Sequence, residues 1–171
     1  VYEAVAKNKP LVERVVTVTG KHLAHPKNLL VRIGTPVSAL VEYAGGMGDT
    51  AKVIAGGPMM GKAMSNTDAP VTKGTSGVLL VPESEVMRGK ADTCIRCGKC
   101  VEACPMGLEP YLLAKLSEKQ EYDDAERHYI TDCIECGCCT FSCPAYLPLL
   151  DWLRLGKAEV MRRIKARSVK K

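Results

Sequence analysis

Aromatic residues and long apolar runs are scarce in this sequence, and a leader peptide is missing. Aromatic side chains make up 5% of the 171 residues, with one Trp and one Phe, which argues against a surface that stacks nucleic-acid bases. No run of about eighteen apolar residues occurs, so we expect no membrane-spanning helix. The chain starts at Val1 without an initiator Met or a charged-then-apolar leader. No secretory signal is therefore visible, and we expect a part of a longer protein.

The net charge of +5 is concentrated at one end of the chain. Residues 154–171 contain eight basic side chains and one acidic side chain, a net charge of +7, whereas the rest of the chain is −2. A nucleic-acid-binding domain would instead spread its basic residues over a folded face, so we expect no nucleic-acid partner. If residues 154–171 form a basic helix, this helix could bind an anionic lipid surface or an acidic protein partner. The alternative is a solvated C-terminus that binds neither.

Residues 1–90 contain no cysteine and are predicted to form a small α+β module of the β-grasp kind. Short β-branched runs that stop at Gly or Pro predict strands at 15–19, 29–33, 52–55 and 77–81. Between the second and third strands, Thr35 is predicted as a helix N-cap with Pro36 at the first helical position. The helix is predicted to end before Gly45 and Gly46.

Residues 91–171 have a helical pattern and no strand-like run, which favours a helical ferredoxin domain over residues 91–150. One helix is predicted to open at Glu109-Pro110 and a second to run from 123 to 129. A third is predicted from 149 to 169, so that residues 151–171 form a basic C-terminal helix or tail.

All nine cysteines lie between residues 94 and 143, and eight of them form an internal repeat. The pattern Cys-x2-Cys-x2-Cys-x3-Cys-Pro occurs at 94–105 and again at 133–144, with every member offset by 39 residues. This is the spacing of bacterial ferredoxins with two 4Fe-4S clusters, in which the fourth cysteine of each run binds the other cluster. The repeat therefore predicts two 4Fe-4S clusters with crossed ligands.

Each cluster is predicted to take three cysteines from one run and one from the other. The first cluster is predicted to bind Cys94, Cys97, Cys100 and Cys143. The second cluster is predicted to bind Cys133, Cys136, Cys139 and Cys104. Gly98 and Gly137 are expected to let backbone N–H groups approach the cluster sulfides.

Disulfides and zinc are the alternatives for such a cysteine-rich chain. Nine is an odd number, and tight Cys-x2-Cys-x2-Cys runs cannot close on themselves without strain, which disfavours disulfides. Zinc sites prefer two separated Cys-x2-Cys pairs and have no use for the third close cysteine. Cys138, the ninth cysteine, is predicted to be a neighbouring thiol or a packing residue rather than a ligand.

Residues 56–63 nearly fit a phosphate-binding loop, but the fit fails at two positions. Ala63 stands where a hydroxyl would bind Mg²⁺, and Pro58 lacks an N–H donor, so we predict a turn that leaves a strand. No Ser/His/Asp or Cys/His nucleophile arrangement stands out. We therefore predict no catalytic site of its own on this chain, whose chemistry would be electron transfer.

Several segments resemble the C subunits of the Rnf (Rsx) electron-transport complexes. These segments are residues 1–5, 9–20, 56–61, 71–77, 94–100 and 132–137. The resemblance covers nearly the whole chain. It implies a soluble-ligand-binding β-grasp (SLBB) domain near residues 14–80, followed by a two-cluster helical ferredoxin domain near 90–150.

The resemblance also implies a functional setting. Rnf complexes couple electron flow between NADH and ferredoxin to ion translocation, and their C subunit is peripheral at the cytoplasmic face of the cell membrane. It implies other Rnf subunits as partners, both membrane and ferredoxin-type. FMN and the NADH site of the family belong to a region upstream of the β-grasp domain, so neither is carried over to residues of this chain.

Three alternatives remain open at this point. The chain could serve as a soluble ferredoxin-like carrier, or belong to a flavo-iron-sulfur subunit such as the cobalamin reductase of bacterial microcompartments. In the third, the clusters have a mainly structural role.

Overall fold

The computed structural model describes residues 1–86 and 89–169. The chain divides into two compact units, Val1–Met87 and Arg88–Lys171. Residues 87 and 88, near the predicted domain boundary, lie outside the described residues, as do Lys170 and Lys171 of the predicted basic segment.

The first unit contains three short helices and a mixed five-stranded sheet in the order β2-β1-β5-β3-β4. Its elements are α1 (Tyr2–Lys7), β1 (Glu13–Gly20), β2 (Lys27–Arg32), α2 (Val37–Tyr43), β3 (Thr50–Ala55), β4 (Lys62–Ala63), β5 (Gly77–Pro82) and α3 (Glu83–Val86). β1 pairs antiparallel with β2 and parallel with β5, while β3 pairs antiparallel with β5 and with β4. The four predicted strands are confirmed, and α1, α3 and β4 were not predicted.

The core of the first unit lies between the sheet and α2. Alternation along β1 turns Val16 and Val18 inward, and both are fully buried. Leu40 and Val41 of α2 pack in the same apolar cluster, as does Val78 of β5. The predicted α+β class is thus confirmed by a sheet with one packed face.

The start of α2 differs from the prediction by one residue. Pro36 is the N-cap, with an extended backbone at φ −65° and ψ 144°, and the helix begins at Val37. The N-cap makes no side-chain cap hydrogen bond, since a proline ring carries no group that could form one. The reason for the shift is that this segment already pairs with residues 69–71: Pro36 forms a bridge with Pro70, and the Val71 N–H donates to the Thr35 carbonyl at 2.8 Å.

All regular elements among the described residues of the second unit are helices. Its elements are α4 (Lys99–Glu102), α5 (Pro110–Glu118), α6 (Tyr122–Arg127), a 3-10 turn (Ile130–Asp132), α7 (Cys138–Ser142) and α8 (Leu149–Val169). The predicted starts of α5 and α8 and the end of α8 are confirmed. Its core packs Leu113 of α5 against Leu153 and Val160 of α8, and all three are almost fully buried.

The 39-residue repeat is visible in the helices of the second unit. α4 and α7 begin at Lys99 and Cys138, and α5 and α8 begin at Pro110 and Leu149, so both pairs of starts are 39 residues apart. In the described part of the chain, no helix has the length and apolarity needed to span a bilayer.

Candidate iron–sulfur site

The two cysteine loops have the same backbone shape. Three pairs of residues, each 39 apart, have positive φ angles: Arg96 (55°) and Glu135 (56°), Gly98 (78°) and Gly137 (81°), and Gly107 (64°) and Tyr146 (53°). The left-handed conformation costs a non-glycine residue roughly 1–2 kcal/mol. Both loops accept this cost at the matching position, so the repeat in sequence is also a repeat in backbone conformation.

The cysteines predicted for the second cluster line one pocket. They are Cys104, Cys133, Cys136 and Cys139. The remaining wall is mostly apolar, with Leu108, Leu113 and Leu153 among its residues. Thiolates are the ligands that iron–sulfur clusters take, and an apolar shell limits access of water to them. The donor set of this pocket therefore fits a 4Fe-4S cluster.

Burial works against ionisation of the thiols around this pocket. It raises the pKa of Cys139 to about 11, although the hydroxyl and the N–H of Thr140 donate to this sulfur. Burial also raises the pKa of Cys133, against a hydrogen bond from the Glu135 N–H. Since a ligand must be a thiolate, the positive charge of bound iron has to offset this burial.

The cysteines predicted for the first cluster are more exposed. Cys94 and Cys97 are exposed, whereas Cys100 is buried. Burial raises the pKa of Cys100, against hydrogen bonds from the N–H groups of Tyr111 and Cys100 itself. The charges of Cys143 and Cys94 add to this increase, so both sulfurs lie near that of Cys100.

The fourth cysteine of each run has a neighbour in the other run. Cys143 is near Cys100, and Cys104 is near Cys133 and lines its pocket. Within residues 1–86 and 89–169, no three His, Cys, Asp or Glu side chains are arranged to hold a single metal ion.

Cys138 lies beside the ligand candidates without lining the pocket of the second run. It is half-buried at the start of α7. A hydrogen bond between its thiol and that of Cys136 raises the pKa of Cys138, and burial adds to the increase. This position agrees with a thiol next to a ligand.

A set of contacts between α8 and the second cysteine loop was not predicted from the sequence. Lys157 Nζ donates to the carbonyl oxygen of Cys133 at 2.6 Å and lies 3.9 Å from a carboxylate oxygen of Glu135. Arg154 Nε donates to the other Glu135 oxygen at 3.1 Å. The available signal was helical spacing, because Arg154 and Lys157 flank the buried face of α8 that Leu153 and Val160 define.

Further along α8, arginines of the predicted basic tail also form ion pairs. Arg163 lies 3.6 Å from Asp123 of α6, and Arg167 lies 2.6 Å from Glu126. Arg162 and Arg163 both bind Glu159 within the helix. Ion pairs therefore connect this part of α8 to α6, and much of its positive charge is already paired.

The segment at 56–63 forms the turn that was predicted instead of a phosphate-binding loop. It joins β3 to β4, with the Gly61 N–H donating to the Gly57 carbonyl at 2.8 Å. Gly56 has φ 107°, a conformation that favours glycine.

Family models match both parts of the chain. An SLBB domain model matches residues 15–63, and a 4Fe-4S dicluster domain model matches residues 86–144. A second 4Fe-4S dicluster model matches residues 60–109 and so extends into β4 and β5 of the first unit, which contains no cysteine. The match to 86–144 contains both cysteine runs and is the one that agrees with the fold.

Curated relatives match the chain over most of its length. The chain is 45% identical over 128 residues to the C subunit of the proton-translocating ferredoxin:NAD(+) oxidoreductase complex of Clostridium ljungdahlii, covering 74% of this chain and 28% of that protein. It is 43% identical over 164 residues to the C subunit of the ion-translocating oxidoreductase complex of Rhodobacter capsulatus, covering 95% and 32%. The C subunit of the Na(+)-translocating ferredoxin:NAD(+) oxidoreductase complex of Acetobacterium woodii is 41% identical over 160 residues, with coverage of 93% and 36%.

The fold, the cysteine set and the family matches together define the class of protein: an SLBB domain is followed by a 4Fe-4S dicluster domain. The cofactors are two 4Fe-4S clusters. Within this class, the chain belongs to the C subunits of ion-translocating oxidoreductase complexes of the Rnf type. It spans between 28% and 36% of the length of the three relatives named above.

Proposed function

We propose that this chain relays electrons by means of two 4Fe-4S clusters, as part of an Rnf-type complex that couples electron flow between NADH and ferredoxin to ion translocation. A 4Fe-4S cluster supplies one-electron transfer, and the protein supplies its ligands and surroundings. The observation that carries the proposal is the duplicated cysteine loop, in which the sequence spacing and the positive φ angles both repeat every 39 residues.

The ligand set belongs to the same proposal. Cys94, Cys97, Cys100 and Cys143 would hold the first cluster, and Cys133, Cys136, Cys139 and Cys104 would hold the second. The pocket lined by the second set and the proximity of Cys143 to Cys100 support this assignment. FMN and the NADH site are proposed to lie elsewhere in the whole protein, so no catalytic residue is assigned to this chain.

Cofactor content is tested by anaerobic reconstitution of the chain. Two clusters require about eight iron and eight sulfide per chain, with the broad visible absorbance of iron–sulfur proteins. One bound zinc without iron would contradict the proposal.

The relay role is tested in the assembled complex. Cys97→Ala in the full-length protein should abolish NADH-dependent ferredoxin reduction while the complex still assembles, and Cys138→Ala serves as the matched cysteine control. Unchanged reduction with Cys97→Ala would favour a structural role for the clusters. Purification of the full-length protein without any membrane partner would favour the soluble carrier.

The remaining proposals concern location and partners. We propose that the protein is peripheral at the cytoplasmic face of the cell membrane and binds other Rnf subunits. We also propose that residues 154–171 contact anionic lipid. The ion pairs along α8 neutralise part of the positive charge of this segment, so fewer of its basic side chains are free to bind lipid. Replacing Lys165, Lys170 and Lys171 by Gln should reduce sedimentation with anionic vesicles if lipid is the partner, without changing it for neutral vesicles.

A further inference from the structure

The contact between Lys157 and the second cysteine loop brings a cation to one cluster site. The Lys157 ammonium donates to the Cys133 carbonyl at 2.6 Å, which places its positive charge beside a residue proposed to bind the second cluster. Its side chain is 24% exposed, so solvent screens its charge only in part. A partly buried charge at this distance acts on anything that the sulfur binds.

Four charged side chains lie on or beside this loop: Asp132, Glu135, Arg154 and Lys157. Glu135 carries one negative charge, and Arg154 and Lys157 each carry one positive charge toward it. Asp132, next to Cys133 in the chain, is exposed, so solvent screens its negative charge, and the other three side chains together leave a net charge of +1 beside Cys133. Their exposed fractions lie between 21% and 32%, so the whole group is partly shielded from water.

The first repeat does not have the same charges. The residues 39 positions earlier than Glu135 and Lys157 are Arg96 and Glu118, so the sign is reversed at both positions. The backbone of the two loops is the same, with φ 55° at Arg96 and 56° at Glu135. The duplicated loops thus share a shape and differ in the charge placed around them.

We propose that Lys157 tunes the second cluster by raising its reduction potential above the value that the loop alone would give. This inference rests on the ligand set proposed above, in which Cys133 binds the second cluster. A reduced cluster carries one more negative charge than an oxidised one, so a nearby cation stabilises the reduced form. Lys157 is a positioning residue, because it acts through the loop and its charge and does not bind iron.

The experiment is a redox titration of the reconstituted full chain, followed by electron paramagnetic resonance. Lys157→Gln should lower one of the two midpoint potentials by about 59 mV. For a one-electron couple, this corresponds to about a tenfold change in the ratio of oxidised to reduced cluster at a given potential. Lys157→Arg should restore most of the parent value. Lys165→Gln removes one charge from an exposed site on the same helix and should leave both potentials unchanged.

A second variant, with an expected potential shift of the opposite sign, provides a test if Lys157→Gln binds iron poorly. Glu135→Gln removes the negative charge beside Cys133 and should raise the same potential. Unchanged potentials in Glu135→Gln and in any iron-loaded Lys157→Gln would overturn the inference, as would equal shifts in Lys157→Gln and Lys165→Gln. A parent chain with much less than about eight iron would instead contradict the proposed function, so the two failures are distinguishable.

Discussion

Gly156 of α8 faces Ser117 of α5, and the two residues occupy the same position in the two repeats, 39 residues apart. A Cβ atom on Gly156 would clash with Ser117 Oγ and would lie 2.9 Å from Ile130 Cδ1. The Ser117 hydroxyl donates to the Leu113 carbonyl at 2.7 Å, which satisfies this buried polar group within α5. Small residues at both positions let the two helices pack closely.

Gly156→Ala should therefore destabilise the second unit. In an exposed helix interior, Ala is favoured over Gly by about 1 kcal/mol, but overpacking costs roughly 1–3 kcal/mol and is expected to prevail here. Denaturant unfolding of the iron-loaded chain measures the change. Gly57→Ala is the control, since its Cβ would meet nothing within 4 Å. Equal or higher stability of Gly156→Ala would contradict the close packing.

Paired cysteine variants should distinguish crossed from uncrossed ligands. With crossed ligands, Cys94→Ala combined with Cys143→Ala removes one cluster and leaves about four iron per chain. Cys94→Ala combined with Cys104→Ala removes both clusters. Iron and sulfide analysis after reconstitution measures the difference, and the reverse pattern would show that each run holds its own cluster.

Cys138→Ala should leave the iron content at about eight per chain, because the thiol is not one of the proposed ligands. The variant loses the hydrogen bond between Cys138 and Cys136, which acts on a ligand sulfur. We therefore expect a shifted midpoint potential with unchanged iron, measured by redox titration and iron analysis. Loss of about four iron would make Cys138 a ligand.

Glu159 should titrate well below its ordinary pKa of 4.5. Hydrogen bonds from Arg162 and Arg163 lower its pKa to about 2. A carboxylate with a lowered pKa in the folded state stabilises the fold above pH 4.5, and this contribution disappears as the pH falls toward 2. Carbon-13 NMR of the side-chain carboxyl group measures the titration directly. A midpoint at the ordinary value would mean that these arginines do not hold Glu159 in solution.

In the first unit, Leu40→Ala should cost far more stability than Leu30→Ala. Leu40 of α2 is 3% exposed in the core, whereas Leu30 of β2 is 70% exposed. Truncating a buried Leu costs roughly 2–5 kcal/mol, and an exposed substitution stays within about 0.5 kcal/mol. Denaturant unfolding gives both values. Similar losses would show that the outer face of β2 is covered in solution.

The sequence predicted those elements that have a strong local signal. β-Branched runs bounded by Gly or Pro correctly predicted four strands, and the apolar spacing after Pro148 predicted both ends of α8. The 39-residue cysteine repeat predicted the duplicated loops. Each of these signals arises from residues close together in the chain.

Several features that escaped prediction depend on pairing with another segment of the chain. β4 has two residues and exists because Lys62 and Ala63 pair with the end of β3. The N-cap of α2 moved from Thr35 to Pro36 because that segment pairs with residues 69–71. The contact of Lys157 with Cys133 joins positions 24 residues apart: helical spacing places Lys157 beside the buried face of α8, but it does not indicate Cys133 as the partner.

The exchange of the fourth cysteine between the two runs has a consequence for folding. Under the proposed ligand set, each cluster is a covalent cross-link between residues 94–104 and residues 133–143. Such a cross-link lowers the conformational entropy of the unfolded chain. Neither half of the duplication can complete a four-thiolate site by itself. Iron loading should therefore stabilise the fold of the second unit, and loss of either cluster should lower the stability of both halves.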